Sequence, residues 1–257
     1  MRQGAGGAPH VVFLHAGIAD HRSWLSVLDL LSPDMDVVAY DRRRFGTTSY
    51  VPEPHDQVAD LCAVLDGLGL DEVVLVGNSQ GGRIALDAAL IHPTRVTSLV
   101  LVAPAVSGSR GIEPSEVLPV EEAVWQTLEQ AEAVDDLVAL NRAEIHFWVD
   151  GPTSPEGRVE GAMRDLALDM NRLALQSEEP GVEAEPPDTW NRLSEIACPA
   201  LVVVGTLDLS PMQVRSRELA GRLPAARLQV MPGTAHMPAL ERPEEFAALM
   251  RQFVTGG

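Results

Sequence analysis

Short apolar runs alternate along the chain with longer amphipathic stretches. The runs are rich in Val, Leu and Ala and almost continuously apolar, which is typical of strands buried on both faces of a sheet. Six strands are predicted, at residues 11–14, 37–40, 73–76, 99–102, 201–204 and 228–231. Helices are predicted between them, at about residues 23–31, 57–68, 81–91, 211–223 and 243–253. The alternation indicates an α/β fold with a mostly parallel, doubly wound sheet flanked by helices.

The regular alternation stops between residues 103 and 187. Inside this stretch apolar residues recur at helical spacing in three groups: Val120, Val124, Leu128 and Ala131; Val134, Val138, Ile145 and Trp148; Val159, Met163, Leu166 and Met170. Its acidic residues are expected on a solvated outer face, and they include Glu121, Glu122, Glu129, Glu132, Asp135 and Asp136. We therefore predict an α/β core at residues 1–103 and 188–257 and a helical insertion at residues 104–187.

Composition narrows the function classes. The 257 residues are 46% hydrophobic yet hold no apolar run of the length a membrane span needs, so we expect a single globular domain that stays in water. The formal net charge of −18 argues against nucleic acid and anionic membranes as partners, because both bind positive surfaces. A homodimer is compatible with the sequence. The first residues lack the apolar middle of a secretion signal, so we expect a cytoplasmic protein or one whose export segment is absent from this sequence.

The two cysteines give no sign of a metal or redox site. Cys62 and Cys198 show neither metal-site spacing nor a disulfide framework. We expect both to be buried thiols that act as small apolar fillers. The sequence predicts no metal and no other cofactor.

The strongest chemical motif is Gly77-Asn78-Ser79-Gln80-Gly81, which follows the predicted strand 73–76 and opens a helix. A serine at the apex of such a turn is held in a strained conformation that exposes its hydroxyl, and the flanking glycines let neighbouring backbone approach. The start of the helix also favours the negative charge that develops during acyl transfer. We predict that Ser79 is a nucleophile, and the alternative is a turn that only connects strand to helix.

A serine hydroxyl needs a base, and histidine is the side chain whose ordinary pKa suits that task near neutrality. Of seven histidines, His236 lies in the loop after the last predicted strand, at the sheet edge expected for Ser79. Asp208 follows the strand 201–204 and would hold the imidazole in the useful tautomer. The chain order Ser, Asp, His is the one expected for this kind of turn. Asp208 has an alternative role as the cap of the helix near Pro211, although Ser210 could cap that helix instead.

An oxyanion hole requires backbone amides from two loops. One amide is expected from Gln80, the residue after the nucleophile. The second is expected from the loop after the first strand, where Gly17 is preferred over Ile18. By itself that loop could equally be an ordinary turn.

The chain resembles the α/β-hydrolase fold superfamily at motifs spread over nearly all of it outside the insertion. His15-Ala16-Gly17 with Trp24 resembles the family's His-Gly-X segment and its following Trp. Residues 41–46 resemble its Asp-X-Arg-Gly-X-Gly loop, and residues 233–244 resemble the segment around its histidine. The resemblance implies a serine carboxylesterase or lactonase-like protein, with these roles: nucleophile Ser79, acid Asp208, base His236, and oxyanion amides at Gly17 and Gln80.

The chain departs from the family pattern in two places. Ala16 and Arg44 stand where glycine is usual. Only ten residues precede the first parallel strand, too few for the usual opening hairpin, which predicts a trimmed sheet edge or a shortened sequence.

In the resembled family a helical cap at the place of residues 104–187 covers the nucleophile and shapes the pocket. The candidates for pocket walls, most of which are expected to pack as core, are Trp125, Phe147, Trp148, Met163, Leu166 and Met170. An apolar cap implies a small or medium uncharged ester or lactone, cleaved through an acyl-enzyme on Ser79. Coenzyme A thioesters are disfavoured because no basic cluster awaits their phosphates.

Two other functions stay open at this point. A carbon–carbon bond hydrolase of the meta-cleavage type would have a similar Gly77-Asn78-Ser79 segment, although such enzymes have a more glycine-rich oxyanion loop. A non-catalytic ligand-binding member of the fold would usually carry a broken triad, and here all three residue types are present.

Overall fold

A central sheet of seven strands organises the part of the chain that the structure describes. The structure is a computed structural model, and it describes residues 1–4, 9–134 and 136–256. The strands are β1 (Arg2–Gln3), β2 (His10–Leu14), β3 (Asp36–Ala39), β4 (Val73–Asn78), β5 (Val96–Val102), β6 (Ala200–Gly205) and β7 (Ala226–Met231). Their order is β1-β3-β2-β4-β5-β6-β7, and every pair is parallel except β1 with β3. The predicted fold class is therefore confirmed.

The edges of the sheet differ most from the sequence prediction. Strand β1 was missed because it is two residues long, and it pairs antiparallel with β3 through Arg2 opposite Val38. Strand β7 begins two residues earlier than predicted, at Ala226, because residues 227–229 are exposed and the strand lacks the apolar signal of a buried one. Strand β5 begins three residues earlier, at Val96, for a similar reason: Thr97 is exposed.

Helices cover both faces of the sheet. They are α1 (Leu25–Leu31), α2 (Gln57–Leu68), α3 (Gln80–Ile91), α4 (Pro119–Ala133), α5 (Leu137–Ile145), α6 (Gly161–Gln176), α7 (Ser210–Arg222), α8 (Pro238–Glu241) and α9 (Pro243–Thr255). Helices α2, α3 and α7 pack on one face through an apolar cluster, and α1 and α9 pack on the other through a second cluster. The predicted helix 23–31 is in fact a 3-10 turn, His21–Trp24, followed by α1, because Asp20 caps the turn by accepting from the Arg22 N–H. Among the described residues, no helix combines the length and apolar character needed to cross a bilayer.

The segment between β5 and β6 contains α4, α5 and α6 and a π-helical turn, His146–Asp150. Its two ends meet on Asp87 of α3, which accepts from the Ser107 hydroxyl at 2.6 Å and from the Thr189 hydroxyl at 2.5 Å. The N–H of Trp190 also donates to the carbonyl of Ser107 at 2.8 Å. These bonds join the start and the end of the segment at one point of the core. The boundaries of the insertion, residues 104–187, stay a prediction.

Two expectations about this region and the thiols are wrong. Glu121 is fully buried instead of solvated, because its carboxylate accepts from the N–H and hydroxyl of Ser210 at 2.9 and 2.8 Å. The helical spacing of apolar residues does not by itself place them in the core, since Val138 is 80% exposed. Cys62 and Cys198 are free, as expected, but only half-buried. Asp135 lies outside the described residues.

Candidate active site

Ser79 sits at a strained turn between β4 and α3. Its backbone has φ 53° and ψ −114°, a conformation that costs a non-glycine residue of the order of 1–3 kcal/mol. A Cβ on Gly77 would run into the backbone of Gly81, and a Cβ on Gly81 would run into the backbone of Leu14. The two glycines of the motif are thus required by close backbone approach, and the Ser79 side chain is left half-buried at the end of the strand.

Asp208 and His236 come together from the loops that follow β6 and β7. The Nδ1 of His236 lies 2.9 Å from Oδ2 and 3.1 Å from Oδ1 of Asp208, and both residues are 2% exposed. Asp208 accepts one further bond, from the N–H of Leu209, and does not cap α7. Ser210 does not cap that helix either, because its hydroxyl donates to Glu121. This geometry fits a carboxylate that fixes the tautomer of an imidazole.

Ser79 and His236 line a single cavity of about 190 Å³. Its walls are formed by Ala16, Gly17, Ile18, Ser79, Gln80, Glu144, Trp148 and His236. Asp208 lies behind the imidazole and does not line the space. Larger cavities of about 680 and 620 Å³ lie elsewhere, and their walls include none of the predicted site residues. The structure therefore brings all five predicted site residues to one place, four of them on the cavity wall.

Gly17 and Gln80, the two residues predicted to supply oxyanion amides, both line the cavity. Gln80 is the first residue of α3, so its N–H has no partner within the helix. A Cβ on Gly17 would lie 2.8 Å from Nε2 of Gln80, so the end of that side chain would have to shift to admit it. Ile18 also lines the cavity, next to Gly17, and stays the second choice for the amide.

A buried arginine supports the oxyanion loop from behind. The guanidinium of Arg42 donates to the carbonyls of His15 and Ala16 at 3.1 and 3.2 Å and to the side-chain oxygen of Gln80 at 3.2 Å. Arg42 is 3% exposed, and burial lowers its pKa to about 10. Its guanidinium also lies 4.6 Å from the ring centre of Phe45. A buried positive charge thus holds the loop that carries Gly17.

His15 is held neutral in the same network. Its Nδ1 lies 2.8 Å from the carbonyl of Ala16, and its Nε2 accepts from the N–H of Arg42 at 3.2 Å. Burial and the charge of Arg42 hold the pKa of His15 well below its usual range. Both ring nitrogens are occupied, so His15 serves the loop and does not compete with His236 as a base.

Two residues at the site were not recognised from the sequence as supports of His236. The amide of Asn78 donates to the carbonyls of Val102 and His236 at 3.0 and 3.1 Å, which ties the nucleophile strand to the histidine loop. The ring of Trp148 lies 4.5 Å from the imidazole, centre to centre, and its carbonyl accepts from the His236 N–H at 3.1 Å. Trp148 sits on the π-helical turn, a feature that often marks functional positions.

Arg44 explains one departure from the family pattern. It adopts φ 71°, in the left-handed region where glycine is favoured, and its guanidinium pairs with Glu179 at 2.6 Å and donates to the carbonyl of Ala174 at 3.2 Å. Both partners lie at the end of the insertion. Arg44 thus has a strained backbone, and its side chain connects the core to the insertion.

One group of side chains has donor atoms of the metal-binding type. Ligand atoms of Asp20, His21 and Asp41 lie within 4.8 Å of one another. Asp20 is already paired with the guanidinium of Arg22 at 2.7 Å, and Nδ1 of His21 lies 2.8 Å from Asp41. These groups satisfy one another, and none of them lines the cavity of Ser79.

Comparison with known proteins gives consistent relatives. Residues 11–249 match the family model described as the alpha/beta hydrolase family. The chain is 32% identical to a 2-hydroxy-6-oxononadienedioate/2-hydroxy-6-oxononatrienedioate hydrolase of Burkholderia vietnamiensis, over 76% of this chain and 66% of that relative. It is 30% identical to lipase LipV of Mycobacterium tuberculosis, over 98% of this chain and 95% of that relative. The solved structure of Est816, titled an N-acyl homoserine lactone degrading enzyme, superposes with a TM-score of 0.74 at 25% identity and covers 99% of this chain and 95% of its own.

Proposed function

Because this chain belongs to the α/β hydrolase family, we propose that it is a serine hydrolase that cleaves a small or medium uncharged carboxylic ester or lactone. The observation that carries the proposal is the shared cavity: Ser79 on its strained turn, His236 backed by Asp208, and the residues Gly17 and Gln80 all meet there. Such a set is what acyl transfer through a serine nucleophile requires.

The proposed reaction proceeds through an acyl-enzyme. His236 Nε2 takes the Ser79 proton as Oγ attacks the carbonyl carbon, and the amides of Gly17 and Gln80 stabilise the oxyanion. The tetrahedral intermediate collapses as the bond to the alcohol oxygen breaks, and His236 returns the proton to that oxygen. His236 then activates a water molecule, which releases the carboxylic acid and restores Ser79. Asp208 holds the imidazole in place throughout.

Cavity size and charge support a compact, non-anionic substrate. A volume of about 190 Å³ is below the ~300–1,000 Å³ usual for ligand pockets. Glu144 is the acidic wall residue, and the net charge of −18 disfavours anions further. The lipase named above and the lactone-degrading enzyme lend support to ester or lactone cleavage.

A second candidate is hydrolysis of a carbon–carbon bond. It is favoured by the 32% identity to the Burkholderia dioate hydrolase and by the Gly77-Asn78-Ser79 segment. A dioate carries two carboxylates, whereas the cavity presents Glu144 and has no arginine on its wall among the described residues. Charge repulsion therefore ranks this candidate second.

The test is a panel of p-nitrophenyl esters of increasing acyl length together with a set of lactones, assayed with the protein, Ser79→Ala and the control Ser194→Ala. Ser194 is exposed and far from the motif in sequence. We expect hydrolysis of the shortest esters, labelling of Ser79 by a fluorophosphonate, loss of both in Ser79→Ala, and no change in the control.

Activity that survives Ser79→Ala would refute Ser79 as the nucleophile. Labelling without turnover of any ester or lactone, combined with cleavage of a vinylogous diketone, would select the carbon–carbon candidate. Absence of both turnover and labelling would favour a ligand-binding protein.

A further inference from the structure

Glu144 occupies an unusual position for a carboxylate. It lies in α5, near the end of that helix, and shares the cavity wall with Ser79, Trp148 and His236. Among the described wall residues it is the one ionisable group besides His236. The proposed acyl-transfer steps do not use it, and the sequence pattern did not single it out.

One oxygen of Glu144 is satisfied by the protein. The amide of Asn171, a residue that is 1% exposed, donates to Oε2 at 2.7 Å and also lies 3.0 Å from the side-chain oxygen of Asn141. Asn171 is therefore held in place and orients the carboxylate. Within the part of the chain that the structure describes, Oε1 receives no hydrogen bond from a protein group, and no arginine nitrogen lies within 4.0 Å of the carboxylate.

A carboxylate in this setting costs stability. Burial raises the pKa of Glu144, and the charge of Glu132 adds to the effect, whereas the bond from Asn171 and the charge of Arg44 oppose it. An apolar or amide side chain of similar size would fill the same space without that cost. A carboxylate on the cavity wall with one oxygen that no described protein group satisfies is an acceptor for a substrate donor.

We propose that Glu144 is a specificity-determining residue whose free oxygen accepts a hydrogen bond from an N–H group of the substrate, located close to the scissile carbonyl. The inference rests on the proposed ester or lactone cleavage at Ser79. The substrate is then an uncharged ester or lactone with an acylamino group beside the carbonyl, or, beyond the uncharged class proposed above, a cationic one with a protonated amine at that place. Both groups present an N–H donor, and a carboxylate receives either one.

The methyl esters of propionic acid, alanine and N-acetylalanine distinguish the two possible donors. The first has no N–H group, the second has an amine and the third has an acylamino group. Release of acid is followed by titration at constant pH. A hydrogen bond to a charged group corresponds to about 10- to 100-fold in kcat/KM. We expect at least one of the two nitrogen-bearing esters to exceed the propionate ester by that factor, and which one does so identifies the amine or the acylamino group.

Two variants and a matched control test the role of the side chain. Glu144→Leu removes the acceptor and should abolish the preference for either nitrogen-bearing ester. Glu144→Gln removes the charge but keeps an acceptor. It should lower kcat/KM for the alanine ester about 10-fold or more, and kcat/KM for the N-acetylalanine ester much less. Glu160→Gln makes the same change in charge at an exposed site that forms no cap hydrogen bond, and it should leave all three rates unchanged. Thermal melts should show that Glu144→Gln is at least as stable as the parent.

Equal rates on the three esters in the parent protein would overturn the inference while leaving the proposed function intact. So would an equal loss on all three esters in both Glu144 variants, because that pattern marks a structural role. Failure of the proposed function has a different signature: none of the three esters is cleaved, and a fluorophosphonate does not label Ser79.

Discussion

The inner strands of the sheet bury nearly all their side chains, whereas the helices of the insertion leave several apolar ones in solvent. Every residue of β4 and β6 is buried, but Val120 in α4 is 63% exposed and Val138 in α5 is 80% exposed. The insertion packs on the core through two smaller apolar clusters, one with Ile145 against Ile18 and the other with Phe147 against Leu209. The sheet is thus covered on both faces, whereas the helices of the insertion bury one side and expose the other.

The candidate active site contains residues from both the core and the insertion. Ser79, Asp208 and His236 belong to loops of the sheet, and Glu144 and Trp148 belong to the insertion. Reacting groups on a rigid sheet keep their geometry, while wall residues on a separately anchored segment can change with the substrate. We infer that the core carries the proposed chemistry and the insertion carries its selectivity.

The largest expected effect tests the core. Asp208→Asn should retain the fold but lower turnover by about 10⁴-fold, because the imidazole would be held in the wrong tautomer. Ester hydrolysis and circular dichroism measure the two properties. Turnover near the parent value would reassign the acid.

Substitutions of Asp87, where both ends of the insertion are bonded to the core, should lower the free energy of unfolding. Asp87→Ala removes the shared acceptor of Ser107 and Thr189 and should cost about 2–3 kcal/mol in the free energy of unfolding. Asp87→Asn keeps one acceptor oxygen and should cost less. Denaturant unfolding of the two variants decides whether the insertion is anchored there, and equal stability of both with the parent would show that it is not.

Trp148 is the residue of the insertion whose ring packs against the imidazole of His236. Trp148→Ala should lower kcat about 10- to 100-fold, because His236 loses the ring that packs against its imidazole. The control is Trp125→Ala, in the same insertion but away from the cavity wall. If both variants have the same activity, the special role assigned to Trp148 is wrong.

The buried His15 should make the free energy of unfolding fall at acidic pH. The folded protein keeps His15 neutral, with its pKa well below the ordinary 6.5, so the unfolded chain binds a proton that the folded one does not. Stability is therefore fully present above pH 6.5 and is lost as pH falls below it, by up to ~1.4 kcal/mol per pH unit. His15→Gln should unfold with a shallower dependence between pH 6.5 and 5. If the free energy of unfolding depends on pH equally in the parent and in His15→Gln, His15 is not the source of the acid sensitivity.

The smallest effect is expected at the thiols. Burial raises the pKa of Cys62 and of Cys198, which keeps both in the unreactive thiol form. Cys62→Ser and Cys198→Ser should change kcat/KM by less than about twofold. Loss of ester hydrolysis with the fold retained would show that a thiol takes part in the reaction.

Much of the core was predictable because its signals are local. A buried parallel strand is apolar along its whole length, so strands β2 to β6 are visible in the sequence. The exposed edge strand β7 is visible only in part, and the two-residue β1 has no such signal. The serine turn requires glycine at fixed positions for steric reasons, so Gly77 and Gly81 mark Ser79 in the sequence alone. The chain order of the acid and the histidine follows from the order of the strands.

The fold class, the strained serine and the set of residues predicted to react all follow from the order of residues along the chain. Three other features emerge only from three-dimensional packing: Glu121 is buried, Arg42 donates to the carbonyls of the loop that carries Gly17, and Glu144 lines the cavity of Ser79. The two groups differ in the range of the interactions that produce them. Strand burial and turn geometry depend on a few neighbouring residues, whereas the direction of a polar side chain on a helix depends on partners far away in the chain.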